Sequence, residues 1–325
     1  MRTILLLTLS TTLLGGCSDR KRPGDGIPLV GFVQAVEDNT IDEARRGFLD
    51  ALREHGYSDS AGTIEIIYRN AQGDIPALNQ ILDYVVSQNV TLIAANTTLA
   101  MITAARKTST IPIFMMVAPS PQIAKLTTTD AGGRQVPPPN LSGTYETLAY
   151  IDTSVALIRE VLPGARRVGT LYNSSEPNSV NAIGRLRTIC ADLGLQLVEQ
   201  SVTSSNETQQ VMQSLLGKNI DVFFALPDNI IFASFETVMK EASGRKIPIV
   251  TSEAGLVRRG ALIAYGADFY QWGHQAGVQA ARYLKTRDLA SVPLELVRVR
   301  KRTYNPVTAR GLGIEPPKGF ESIGP

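Results

Sequence analysis

The chain has 325 residues, 43% of them hydrophobic and 19% charged, with a formal net charge of +2. That length exceeds one small core and predicts roughly two domains, and the near-neutral balance provides no electrostatic footprint for nucleic acid. With two cysteines and two histidines, the latter far apart in sequence, a zinc site or a Ser-His-Asp triad is poorly supported, and no metal or cofactor is expected.

The chain begins with Arg2 and the mostly apolar run Ile4 to Leu14, too short to span a bilayer comfortably, and then Leu14-Gly15-Gly16-Cys17. A positive start, a short apolar stretch and small residues before a cysteine are what a bacterial lipoprotein signal needs, because the lipid is carried on a thiol at the new N-terminus. Residues 1–16 therefore read as the signal, Cys17 as the lipidated residue and 17–27 as a polar tether. This predicts a periplasmic or cell-surface protein anchored to the membrane by lipid. An ordinary cleaved signal or a retained N-terminal helix are the alternatives. Cys190 then stands alone and reads as a small buried hydrophobe, and His55 before Gly56 reads as a helix-end residue that suits the dipole.

Beyond the tether, strands and helices alternate. Leu29 to Val33 is a short apolar run, and Asp42 is expected to cap a helix carrying Ala44, Phe48 and Leu52 at helical spacing, closed by Gly56. A strand at Ile64–Tyr68, a helix at Pro76–Ser87, a strand at Val90–Ala95, a helix at Leu99–Lys107 and a strand at Ile111–Met116 follow. Residues 117–139, rich in Pro and Gly, read as a long loop before a crossing strand at Asn140–Tyr145. The rhythm restarts with helix Thr153–Val161, strand Arg167–Tyr172, helix Ser179–Leu193, strand Gln196–Ser201 and helix Glu207–Leu216. It continues with strand Asp221–Ala225, helix Ile230–Ser243, strands Ile247–Val250 and Leu262–Tyr265, helix Phe269–Lys285 and strand Leu294–Arg300. Strands rich in Ile and Val without alternation suit parallel sheets covered on both faces. The expected fold class is thus α/β, with two doubly wound, Rossmann-like lobes joined by a hinge.

Ligands in such sheets bind beyond the carboxyl ends of the strands. The loops found there are dense in Ser, Thr, Asn, Asp and Glu and hold neither His nor Cys, so they suit hydrogen bonding better than acid–base chemistry. Thr97-Thr98 and Asn178-Ser179 each begin a helix, where they either cap it or leave its N–H groups to hold a carboxylate. Asp228 either caps the next helix or pairs with an ammonium; both together would suit a zwitterion such as an amino acid. Phe32, Tyr145 and Tyr172 lie near strand ends, in the core or lining an apolar pocket.

Several stretches carry a family resemblance: Gly31-Phe32, Gly47-Phe48, Gly56-Tyr57 and Tyr68-Arg69-Asn70-Ala71-Gln72-Gly73; Tyr172-Asn173-Ser174-Ser175-Glu176-Pro177-Asn178-Ser179; Pro227-Asp228-Asn229; Arg259-Gly260-Ala261; and the helix with Gly273, Gly277 and Ala281. From about residue 28 to 316 the chain resembles ABC transporter substrate-binding proteins of the tryptophan/aromatic amino-acid type. The resemblance implies a periplasmic-binding-protein type I fold whose lobes close on a ligand. It also implies binding roles for Thr97, Thr98, Asn178, Ser179, Asp228 and Asn229, to which Gln34, Tyr145, Asn173 and Glu253 are added from the strand-end loops. One departure stands out: Val117-Ala118-Pro119 replaces the family's common Thr-Asp-Pro, so an acidic group is missing.

The expected lobes are 28–143 plus 268–290 and 144–267 plus 291–325, with hinges near Tyr145, Ala267 and residue 290. The expected function is a binding lipoprotein, not an enzyme, that captures a small polar or zwitterionic ligand and delivers it to an ABC permease with its ATPase. A ligand sensor docking on a receptor or kinase uses the same fold. An exported hydrolase using two of Glu37, Glu176, Asp228 and Glu253 is the weaker alternative.

Overall fold

The computed structural model describes residues 26–324. The predicted signal 1–16, Cys17 and the tether up to residue 25 lie outside the described residues. Among those described, no helix is long and apolar enough to cross a membrane.

The first half runs β1 (Leu29–Gln34), α1 (Asn39–Glu54), β2 (Glu65–Asn70), α2 (Ile75–Ser87), β3 (Leu92–Asn96), α3 (Thr98–Lys107), β4 (Ile113–Met116), a small hairpin of β5 (Thr128–Thr129) and β6 (Gln135–Val136), and β7 (Leu141–Tyr145). The second comprises α4 (Tyr150–Val161), β8 (Arg167–Tyr172), α5 (Pro177–Asp192), β9 (Gln196–Ser201), α6 (Thr208–Leu216), β10 (Val222–Ala225), α7 (Asn229–Ala233), α8 (Phe235–Ser243), β11 (Ile249–Glu253), α9 (Ala254–Arg258) and β12 (Ile263–Ala267). The chain ends with α10 (Phe269–Thr286), β13 (Glu295–Leu296), β14 (Arg300–Tyr304), α11 (Pro306–Leu312) and β15 (Glu321–Ser322).

Two sheets result. The first has six strands in the order β13-β7-β4-β3-β1-β2, all parallel; the second has seven in the order β15-β14-β12-β11-β10-β8-β9, where only β14 against β12 is antiparallel. The central strands β3, β4 and β10 are buried along their whole length, which explains why their apolar runs do not alternate. Helix α10 belongs with the first sheet. It packs along α1, where Gly47 and Gly273 are required: a Cβ on either would collide with the backbone of the facing helix.

The chain crosses between the two sheets three times: from β7 into α4, from β12 into α10 at Asp268, and from β13 into β14. The crossings are tied together. Val297 N–H donates to the Tyr145 carbonyl over 2.9 Å, and Lys301 pairs with Asp268 at 2.9 Å.

Some expectations need correction. Asp38, not Asp42, caps α1, accepting from the Thr40 and Ile41 N–H groups; Asp42 sits in the first turn and accepts from Gln34 Nε2 at 2.8 Å. The single helix expected over 230–243 breaks at Ser234, whose hydroxyl donates back to the Ile230 carbonyl at 2.5 Å. The strand expected over 294–300 is two strands in different sheets. Short helices α9 and α11 were not foreseen, and the 117–139 loop contains the β5–β6 hairpin.

Candidate functional site

Strand ends of both sheets converge on a pocket between the lobes. Its walls come from Thr98 and Val117-Ala118-Pro119, from Glu146, Leu148 and Tyr150 on the first crossing, from Asn178, Pro227, Asn229 and Phe232 beyond β8 and β10, and from Phe269 and Trp272 on α10. The free space is about 20 Å³, room for about one water and far below the ~300–1,000 Å³ of ordinary ligand pockets. The lobes are closed on one another. A wider recess between Val36, Glu37, Gln72 and Leu99 on one side and Asn173, Glu176, Thr203 and Ile230 on the other opens to solvent, and Asn229 borders both spaces.

On the wall from the first sheet, Thr97 holds φ at 86°, a strained conformation for a β-branched residue. It makes no side-chain cap to α3, and its buried Oγ1 has no partner. The capping role is therefore not taken, and the first N–H groups of α3 are left for another acceptor. Val117 and Leu148, in the pocket wall, also take positive φ values of 51° and 60°. Such strain collects where a ligand is clamped.

Glu146 is an acid in the pocket wall beside the 117–119 loop, which has none. It follows β7 directly, its N–H donates to the Ala118 carbonyl at 3.2 Å, and it bridges to Pro119. The residue is 3% exposed, and among the described residues its carboxyl accepts only from the Leu148 N–H. Burial pushes its pKa to about 8, the Leu148 N–H opposes that, and the Glu253 carboxyl adds to it. Behind it, Tyr150 donates to Glu253 at 3.5 Å. Glu253 also accepts from Ser252 at 2.6 Å and Thr251 at 2.7 Å, and burial raises its pKa to about 7 against those bonds.

The wall from the second sheet is a closed network. Asp228 is fully buried. Its Oδ1 caps α7 through Ile230 N–H (2.9 Å) and Ile231 N–H (3.2 Å). Its Oδ2 accepts from Asn173 N–H at 2.6 Å and from the Ser179 hydroxyl. Four donors leave no lone pair for an ammonium, so Asp228 acts as a cap. Glu176 accepts from Asn173 Nδ2 at 3.0 Å and Asn229 Nδ2 at 2.9 Å; burial first, then the nearby Asp228, raises its pKa to about 8. Asn178 donates to the Pro227 carbonyl at 3.0 Å and presents a buried Oδ1 without a partner.

Of the residues expected at the site, Thr98, Asn178 and Asn229 line the pocket, while Thr97, the residue before Thr98, does not. Asn173 borders the outer recess. Gln34 is buried and holds Asn96, Val36 and Asp42; Ser179, Asp228 and Glu253 support the wall from behind. Tyr145 is half-buried, and the residue after it reaches the pocket instead. Phe32 packs on Phe48 and Tyr68 in the core. Not foreseen were Glu146, Tyr150, Phe232, Phe269 and Trp272. Glu146 at a strand end and the Phe269/Trp272 pair at i, i+3 were visible signals, but on sequence such residues read equally as surface and core. Among the described residues, no group of three or more His, Cys, Asp or Glu is placed to hold a metal.

Two doubly wound sheets, three crossings and a closed pocket between strand ends define a hinged, two-lobed binding protein. Residues 29–319 match the family described as ABC transporter substrate binding protein, and the chain belongs to that family, which binds solutes and is not enzymatic. It is 32% identical to a tyrosine-binding protein of Clostridioides difficile (strain R20291), covering 96% of this chain and 91% of that one. The structure of an ABC domain from Streptococcus pneumonia in complex with L-Trp superposes with a TM-score of 0.80 at 25% identity, covering 91% of this chain and 99% of that one. The ligand-free, open structure of a substrate-binding protein with adhesive properties from Clostridium difficile gives 0.66 at 30% identity, covering 92% and 99%.

Proposed function

We propose that the chain captures an aromatic amino acid, tyrosine or tryptophan, outside the cytoplasm and passes it to an ABC permease with its ATPase. The observation that carries the reading is the chemistry of the pocket. An uncapped helix start at Thr97-Thr98 faces a pocket that also holds a buried, under-bonded Glu146 and the rings of Tyr150, Phe232, Phe269 and Trp272. The ligand carboxylate would meet the α3 N–H groups and Thr97 Oγ1, its ammonium Glu146, and its ring the aromatic wall. Asn178 and Asn229 would supply further polar contacts. The tyrosine-binding relative and the L-Trp complex support this choice of ligand. The higher TM-score to that complex than to the ligand-free open structure, despite lower identity, supports a closed arrangement here.

In this reading residues 28–143 plus 268–290 form one lobe and 144–267 plus 291–325 the other, the three crossings act as hinges, and the lobes part to admit the ligand. Lipid on Cys17 would keep the protein beside its permease. A thermal-shift screen of the amino acids tests the ligand, since binding raises the melting temperature by mass action. Tyrosine or tryptophan should give the largest shift. If neither shifts it while another amino acid does, the aromatic reading is wrong.

A further inference from the structure

Trp272 sits in the pocket wall and also touches all three crossings between the lobes. It lies on α10, four residues past the second crossing at Asp268, and is 1% exposed. Its ring meets Tyr150, at the end of the first crossing, edge to face at 5.6 Å. Its carbonyl accepts from Thr144 Oγ1 at 3.2 Å, just before that crossing begins. Its indole N–H donates over 2.9 Å to the carbonyl of Val299, in the third crossing. The ring also packs at a tilt against Phe269 at 5.3 Å, which in turn meets Phe232 of the second lobe at 5.8 Å.

We infer that Trp272 is the positioning residue that ties occupation of the pocket to closure of the lobes. A hinge of three separate strands can bend at each crossing independently unless something couples them. A rigid indole bonded to one crossing, packed on another and carried by the third makes the three move together. Because the same ring forms part of the pocket, a ligand that presses on it acts on every crossing at once. A residue that merely filled space would not need the indole hydrogen bond to Val299, and the Thr144 bond to the backbone carbonyl of the same residue ties the first crossing to this point of α10. The pocket's role as the ligand site is taken from the proposed function; the coupling of the crossings is not.

The experiment compares wild type with Trp272→Phe, which keeps an aromatic ring and removes the indole N–H, and with Thr144→Val, a residue outside the pocket wall, which frees the first crossing from the α10 backbone at position 272 and leaves the indole intact. Small-angle scattering on the ligand-free proteins reads the balance of open and closed forms without reference to any ligand. Both variants should shift that balance toward the open form and weaken tyrosine or tryptophan binding by about three- to tenfold. Because the chain has one tryptophan, its emission in the wild type reports this junction and should change on ligand binding. If Trp272→Phe fails to fold, Thr144→Val and the wild-type emission carry the test. Wild-type scattering in both variants, or ligand binding without any change in emission, overturns the inference. If no aromatic amino acid binds the wild type, the ligand reading fails, and ligand-free scattering still decides the hinge role.

Discussion

Asp228 and Glu146 are both buried carboxylates at strand ends facing the same cleft, yet their surroundings differ in kind. Asp228 has four donors on its two oxygens, from Ile230, Ile231, Asn173 and Ser179. Glu146 has one, from Leu148. A buried acid whose lone pairs are all filled holds the chain in place, whereas one left short of donors has lone pairs open to a further partner, which the proposed function assigns to the ligand ammonium. Asp38 is intermediate: one oxygen caps α1, and the other takes Arg259 of the opposite lobe at 2.6 Å.

The largest expected effect follows from Glu146→Gln. Removing one partner of a buried charge pair should weaken binding of the amino acid by roughly thirtyfold or more, while the ligand-free protein melts higher at neutral pH because folding no longer has to keep a proton on a buried acid. A titration calorimetry series sharpens the point through pH. The proton on Glu146 is retained in the folded, ligand-free protein from the ordinary range near 4.5 up to about 8, so that part of the stability is present at low pH and is lost as pH rises through this window. A ligand ammonium favours the carboxylate, so binding below about pH 8 expels the proton, and affinity should rise with pH by up to about tenfold per unit and level off above it. The Gln variant should lack that rise. Equal slopes for both proteins would remove Glu146 from the ammonium site.

Asp228→Ala should act on stability. It strips the α7 cap, leaving the N–H groups of Ile230 and Ile231 and the Ser179 hydroxyl without their acceptor, a loss of about 3 kcal/mol in denaturant unfolding. If instead it folds normally and loses only its response to ligand, the contrast with Glu146 collapses. The smallest effect is expected from Arg259→Ala. This side chain reaches across the cleft to Asp38 and Thr40 while also holding Glu236 and the Phe232 carbonyl in its own lobe. Losing it should disfavour closure and raise the Kd by about threefold, with Asp38→Asn adding little more in the Arg259→Ala background. A fully additive pair of effects would mean that the contact is not shared between them.

Much of the fold was legible because burial on both faces leaves its mark on the residues themselves. Ile93-Ala94-Ala95 and Phe223-Phe224-Ala225 read as parallel core strands, and α1 announced its inner face through Ala44, Phe48 and Leu52. The misplacements were local. Asp42 looked like a cap because an acid in a first turn and an acid at a cap differ only in backbone φ and ψ, and nothing in 294–300 says that its two ends join different sheets. Thr98, Asn178 and Asn229 could be placed at the pocket wall from sequence because helix starts after buried strands are identifiable. Glu146, Phe269 and Trp272 could not, because their roles depend on what lies opposite them.

Local chemistry and periodicity, then, determined on their own the alternating elements, the doubly wound fold class and the strand-end loops, while the family came from the resemblance of particular motifs. Those features depend on neighbours in sequence and on burial pattern. Only the tertiary structure decided which acid is filled and which is left open, which aromatic rings meet, and that one tryptophan touches all three crossings. Those outcomes rest on donors and rings brought together from opposite lobes, such as Trp272 with Val299 and Tyr150, and no local pattern encodes the number of partners a buried group will find.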